Sequence, residues 1–179
     1  MKIRMSVLSL LGLLLVALMS PHKAMAAEEY QLQATATWQS NGSLYLIGEN
    51  DALFVGGFSG IMFVNDGQGS LNAAQLTCPG MMEINLETKK SNGDGRCIIT
   101  NAEGHRVFAK WSCEGVAMIG CKGDFALVAG TGPFQGISGG GEFVLRSAMG
   151  SLTADLITGD VDSIGLGLAA WPKLTVKLP

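Results

Sequence analysis

The sequence predicts an all-β chain, an antiparallel β-barrel of about eight strands. Three observations carry that expectation. Short segments of alternating apolar and polar residues recur at regular spacing. Clusters of Gly, Asn, Asp and Pro punctuate them. Beyond the first 26 residues no segment combines a long helical period with caps. Each alternating segment has one apolar face, so the sheet must curl on itself or pack on a partner. Closure into a barrel also removes exposed strand edges.

The elements follow in order. In YQLQATATWQ, Leu32, Ala34, Ala36 and Trp38 alternate with Gln31, Gln33, Thr35 and Thr37, as in a half-buried strand. Asn41-Gly42 precedes SLYLIG, and an Asn-Gly pair between two such runs predicts a type I′ hairpin with positive φ at both turn residues. ALFVGGFSGIMFV reads as a strand with internal glycines, NDGQG as a turn, SLNAAQLT as a strand and CPG as a further turn. In MMEINLET, Met82, Ile84 and Leu86 face one way while Glu83, Asn85 and Glu87 face the other. NGDG is expected to turn into RCIIT, and NAEG into HRVFAKWS, where Val107, Ala109 and Trp111 share a face. DFALVAG, GEFVLRSA, SLTADLITG and GLGLAAWPKLTVKLP supply the remaining strands. The small residues Ala34, Ala36, Ala73 and Ala109 are expected inside, beside Trp38, Phe54, Phe63 and Trp111.

The first 26 residues read differently. Lys2 and Arg4 precede the apolar run Met5–Met19, and Ala24-Met25-Ala26 is a small-x-small cleavage site, so a secretory signal peptide over residues 1–26 is expected. The run is short for a membrane span, which needs roughly 20 apolar residues. A single β-barrel domain over residues 27–179 would remain. Losing Lys2, Arg4 and Lys23 takes the formal charge from −3 to −6. An acidic chain without a basic run is a poor nucleic-acid binder, and no later stretch is apolar enough to span a bilayer. The expected location is secreted or periplasmic. Cys78, Cys97, Cys113 and Cys121 make an even count, which in an exported chain implies two disulfides with three possible connectivities. Cys113 and Cys121 flank a short connection, which favours their pairing and leaves Cys78 with Cys97. The paired C-x₂-C spacing of a zinc site is absent, and no cofactor is expected.

The stretch GDFALVAGTGPFQGISGGGEF, residues 123–143, tests the catalytic possibilities. A phosphate loop needs a Gly-Lys pair, which the chain lacks. Gly130, Gly132 and Gly136 have the wrong spacing for a dinucleotide fingerprint and are followed by a strand pattern. Gly136-Ile137-Ser138-Gly139-Gly140 matches G-x-S-x-G, yet no helix follows, and His105 lies before Ser138. The structural reading is a turn built from Gly130, Thr131, Gly132, Phe134 and Gly136, with Gly139–Gly141 kinking the next strand.

That same run resembles the G-T-G-x-F-x-G-x-x-G signature of allene oxide cyclase-like and dirigent-like β-barrels. The segments Cys78-Pro79, Gly95-Arg96-Cys97 and Trp111-Ser112-Cys113 are similar to those of uncharacterised secreted bacterial members. The resemblance spans residues 30–179 and implies an eight-stranded, calycin-like barrel with a central apolar cavity. Plant relatives cyclise a fatty-acid epoxide or steer radical coupling, some as dimers or trimers, so oligomers are possible here. None of their catalytic residues is carried over to this chain, whose catalytic residues stay unassigned.

Other residues have simpler readings. His105 follows a turn and reads as a locally hydrogen-bonded residue. Asp160 and Asp162 form D-x-D without the rest of a calcium loop. Asn41-Gly42-Ser43 matches a glycosylation acceptor that doubles as the expected turn. Glu83, Glu87, Arg106, Lys110, Glu142 and Arg146 are expected on the wet face, Arg146 beside Glu142. If Arg146 instead points inward it joins Trp38 and Trp111 as a cavity candidate. Three functions remain open: a barrel holding a small apolar or amphipathic ligand, a cyclase or isomerase whose cavity orders an intermediate, and a structural or interaction module with a filled core.

Overall fold

The computed structural model describes residues 28–154 and 161–179. The expected signal peptide and Asp160 lie outside the described residues. Eight strands form one closed antiparallel barrel in which each pairs with its sequence neighbours and the last pairs with the first. They are β1 Glu28–Leu46, β2 Asp51–Val64, β3 Ala74–Asn85, β4 Lys90–Thr100, β5 Arg106–Val116, β6 Gly120–Gly130, β7 Ser138–Ala154 and β8 Val161–Leu178.

The strands are longer than the alternating segments suggest, and three expected turns lie inside them. Asn41-Gly42 is mid-β1, paired with Gly57 and Gly56 of β2. Gly42 is not among the residues with positive φ, so no I′ turn forms there. Cys78-Pro79-Gly80 runs through β3 opposite Phe58, Gly57 and Gly56. Asn92-Gly93-Asp94-Gly95 runs through β4. By contrast the NAEG turn falls between β4 and β5, and NDGQG falls between β2 and β3.

The glycines inside strands have a packing cause. Aromatic rings lie over the bare backbone of neighbouring strands, in the space a Cβ would need. Phe54 covers Gly42 and Gly56, Trp38 covers Gly165 and Gly167, and Trp111 covers Gly80 and Gly95. Directly opposed glycines on β3 and β4, Gly80 and Gly95, thus make one bed for a single indole.

The barrel interior is layered. In its lower half Met62, Leu76, Ile99, Val107, Leu174 and Val176 are fully buried. Phe125, Phe143 and Trp171 form a cluster there, with Phe125 edge-on to Trp171 at 5.2 Å and Phe143 stacked on it at 6.1 Å. Ala34, Ala36 and Ala109 face inward as expected, but Ala73 does not. Ala73 sits exposed in the β2–β3 turn with φ +57, and Ala74 takes the inward position. Phe63 likewise faces outward and is 45% exposed, because Met62 and Val64 hold the inward positions of β2.

Two loops close the lower end. Leu71 from the β2–β3 loop and Phe134 and Ile137 from the β6–β7 loop are buried against the core. Residues 130–136 are therefore the turn that carries Phe134 inward. A short 3₁₀ turn spans Gly132–Phe134, and Gly132 has φ +58 and sits against the His105 ring. The Arg106 N–H donates to Thr131 Oγ1 at 2.9 Å, and the Thr131 N–H donates to the Arg106 carbonyl at 2.8 Å. His105 belongs to this structural seam, its own N–H donating to Asn101 Oδ1 at 2.9 Å.

Both disulfides join adjacent strands inside the barrel. Cys78–Cys97 links β3 to β4, and Cys113–Cys121 clamps the β5–β6 hairpin near its tip.

Candidate functional site

Among the described residues, the upper end of the barrel is not filled. The strands there alternate as they do below, but the inward positions carry glycine, serine and rings laid against the wall. A cavity of about 240 Å³ results, larger than the roughly 150 Å³ apolar void that accepts a benzene ring. Trp38 and Leu44 of β1, Phe54 and Phe58 of β2, Met82 and Ile84 of β3, Trp111 of β5 and Leu145 of β7 line it. Phe58 sits between the two indoles, with ring centroids 6.3 Å from Trp38 and 5.3 Å from Trp111.

Polar groups in the lining are few. Ser40, Ser147 and Ser163 come from three successive strands around the barrel, β1, β7 and β8, while Ser91 comes from β4. Ser91 is itself buried. Among the described residues no ionisable side chain lines the cavity, since the lining Cys121 is in a disulfide. The indole N–H groups of Trp38, Trp111 and Trp171 are buried without an acceptor among the described residues.

The mouth lies where β1, β3, β5 and β7 end. Ala117 and Met118 of the β5–β6 turn join the lining there. A larger, more open depression adjoins it and shares Ile84, Ser91 and Val116 with the cavity. Asp51, Glu83, Lys90 and Glu114 line that depression, so charge begins only outside the apolar interior.

Trp38 and Trp111 therefore stand in the cavity wall, and Arg146 does not. Arg146 is exposed on the outer face of β7, between the inward Leu145 and Ser147, and its guanidinium donates to the Leu145 carbonyl at 3.1 Å. The reason is register: Leu145 takes the inward position, and one step along a strand reverses the face. The expected neighbour Glu142 pairs instead with Lys122 across the strands, at 3.0 Å. Glu83, Glu87, Arg106 and Lys110 are exposed, as their alternation predicts. Asp162 is exposed on β8.

The lining residues that sequence reasoning did not name as cavity candidates include Leu44, Phe58, Met82, Ile84 and Met118. The period of two marks Met82 and Ile84 as inward. Nothing local marks Met118, which reaches the cavity from a turn.

Tyr30, near the start of β1, has its phenol pKa raised above the usual value, first by burial and then by the neighbouring Glu28 carboxylate. It lies at the lower end, away from the cavity.

No family model and no curated protein matches this chain. Similar solved structures include the following two. One is the pterocarpan synthase dirigent protein GePTS1, at 14% identity and a TM-score of 0.44, covering 86% of this chain and 98% of that one. The other is a protein of unknown function from the DUF3224 family of Shewanella oneidensis MR-1, at 9% identity and a TM-score of 0.41, covering 78% of this chain and 96% of that one. The barrel assignment rests on the strand pairing itself. Among the described residues no helix is long and apolar enough to cross a membrane.

Proposed function

We propose that this protein binds one small apolar molecule, or the apolar part of an amphipathic one, in the upper cavity of its barrel. The observation that carries the reading is the cavity of about 240 Å³, walled by Trp38, Phe58 and Trp111, above a fully packed lower half. Apolar pockets with a few convergent polar groups are the usual form of small-molecule sites. Here the polar groups are serine hydroxyls, which can hold one hydroxyl or carbonyl of a ligand but offer little acid–base strength near neutral pH. This supports a binding function over a cyclase or isomerase.

The test is titration with a neutral fluorescent probe, N-phenyl-1-naphthylamine. Saturation at one probe per chain is expected, with displacement by non-fluorescent apolar competitors. Ile84→Trp, which fills the cavity from β3, should weaken binding while the chain still folds. With no ionisable lining side chain described, affinity should stay flat between about pH 5 and 9, a range that would titrate any histidine in contact with the probe. Absence of saturable binding would leave the structural or interaction reading. Turnover of a bound epoxide or phenol would move the reading to an enzyme.

Export belongs to the same proposal. Cleavage after Ala26 would deliver a chain starting at Ala27 to an oxidising compartment, secreted or periplasmic, where two disulfides persist. N-terminal sequencing of the exported fraction checks it, and an intact Met1 would overturn it. The kinship with allene oxide cyclase-like and dirigent-like barrels is likewise proposed, on the G-T-G-x-F-x-G-x-x-G segment over residues 130–139.

A further inference from the structure

We infer that Met118 is the gate of this cavity, the side chain that sets how fast a molecule passes the mouth; the inference rests on the ligand-binding reading above. Met118 stands at the centre of the three-residue turn between β5 and β6 with φ +64. A non-glycine residue in the left-handed region is strained, and such strain persists where the surroundings fix it, often at functional sites. Here they fix it from both sides. The Ala117 N–H donates to the Lys89 carbonyl at 2.9 Å, and the Ser147 N–H donates to the Ile119 carbonyl at 3.0 Å. The Cys113–Cys121 disulfide clamps the hairpin just below.

The side chain has a place made for it. It lies on Gly150 of β7, where an added Cβ would collide with its terminal methyl and come within 3.2 Å of its sulfur. Met118 lines the cavity yet is 56% exposed, so it stands between the cavity and water. A pinned backbone carrying an unbranched, freely rotating thioether is a swinging side chain on a fixed post. Glycine would relieve the strained φ, but it would remove the side chain that stands at the mouth.

The experiment combines stopped-flow binding of N-phenyl-1-naphthylamine with thermal unfolding, for the parent, Met118→Leu, Met118→Ala and Met118→Gly. Association and dissociation should both speed up on the order of tenfold in the Ala and Gly variants. Equilibrium affinity should change much less, and Met118→Leu should follow the parent. Met118→Gly should match or exceed the parent in Tm, because glycine adopts positive φ at low cost. Binding by the Ala and Gly variants alone would also support the gate. Parent binding with unchanged rates in the Ala and Gly variants would overturn the gate and leave the cavity reading standing. A lower Tm for Met118→Gly with unchanged rates would make Met118 a structural cap and overturn the proposal. No saturable binding by any of the four chains would remove the cavity reading and the gate with it.

Discussion

Gly95→Ala is the smallest change that tests the packing rule of this barrel. Gly95 faces inward on β4, opposite Gly80 on one side and Trp111 on the other. A Cβ there would lie 2.7 Å from both Cε2 and Nε1 of Trp111, closer than real Cβ contacts come, and would also press on the Pro79 carbonyl. The carbonyl is fixed in the β3 backbone, so the indole must give. It can give only toward the cavity whose wall it forms, and there it packs against Phe58. Overpacking of this kind costs about 1–3 kcal/mol. For a chain of this length about 2 kcal/mol corresponds to a fall of roughly 4–8 °C in Tm. Thermal unfolding by far-UV circular dichroism measures the loss, and the near-UV signal reports the displaced indole. Gly48→Ala is the control, since a Cβ there meets only Asp51, at 3.4 Å, and a change near zero is expected. In a Trp111→Phe background the smaller ring should absorb most of the Gly95→Ala cost, because contacting residues are coupled. An unchanged Tm and near-UV spectrum for Gly95→Ala would refute the claim that in-strand glycines are beds for aromatic rings.

Three further outcomes are expected. Thiol labelling of the unreduced, denatured protein should find no reactive cysteine among the described residues, and removing Cys78–Cys97 should cost about 3 kcal/mol against about 2.5 for Cys113–Cys121, since the sequence separations are 19 and 8; chemical denaturation of the Cys→Ala pairs reads the difference. Gly136→Val should cost on the order of 1–3 kcal/mol, because Gly136 has φ +81 and a Cβ there meets the Pro179 ring at 3.0 Å; a neutral change in Tm would argue against the loop as a structural plug. Tyr30 should make stability fall at alkaline pH: its folded pKa is raised, so its contribution is complete below the usual phenol pKa and is lost as pH rises through the folded value. Tyr30→Phe should flatten that alkaline slope in urea unfolding, and an unchanged slope would assign it to other groups.

Periodicity along the chain was enough to read the fold class and the inward face of most strands. Val107, Ala109 and Trp111 of β5, and Met82 and Ile84 of β3, point inward because a strand alternates with period two whatever it pairs with. The sequence also determined the loop at residues 130–136, whose glycine spacing is dictated by local backbone geometry: Gly132 and Gly136 both have positive φ. Which other glycines turn the chain, and which let a ring lie flat, depends on contacts between residues far apart in the chain. Gly42, Gly80, Gly93 and Gly95 read locally as turn residues, yet all lie inside strands. At Gly42, Gly80 and Gly95 the partner is a distant ring, Phe54 or Trp111, that no local pattern names. Ala73 was expected inside for a related reason: where a strand begins is fixed by pairing with its neighbour, and β3 starts at Ala74, one residue later. The cavity and Met118 were the least legible, because an empty space is a property of side chains from strands on every side of the barrel. Alternation says that a residue faces inward; only closure of the eight strands decides how much of that interior the side chains fill.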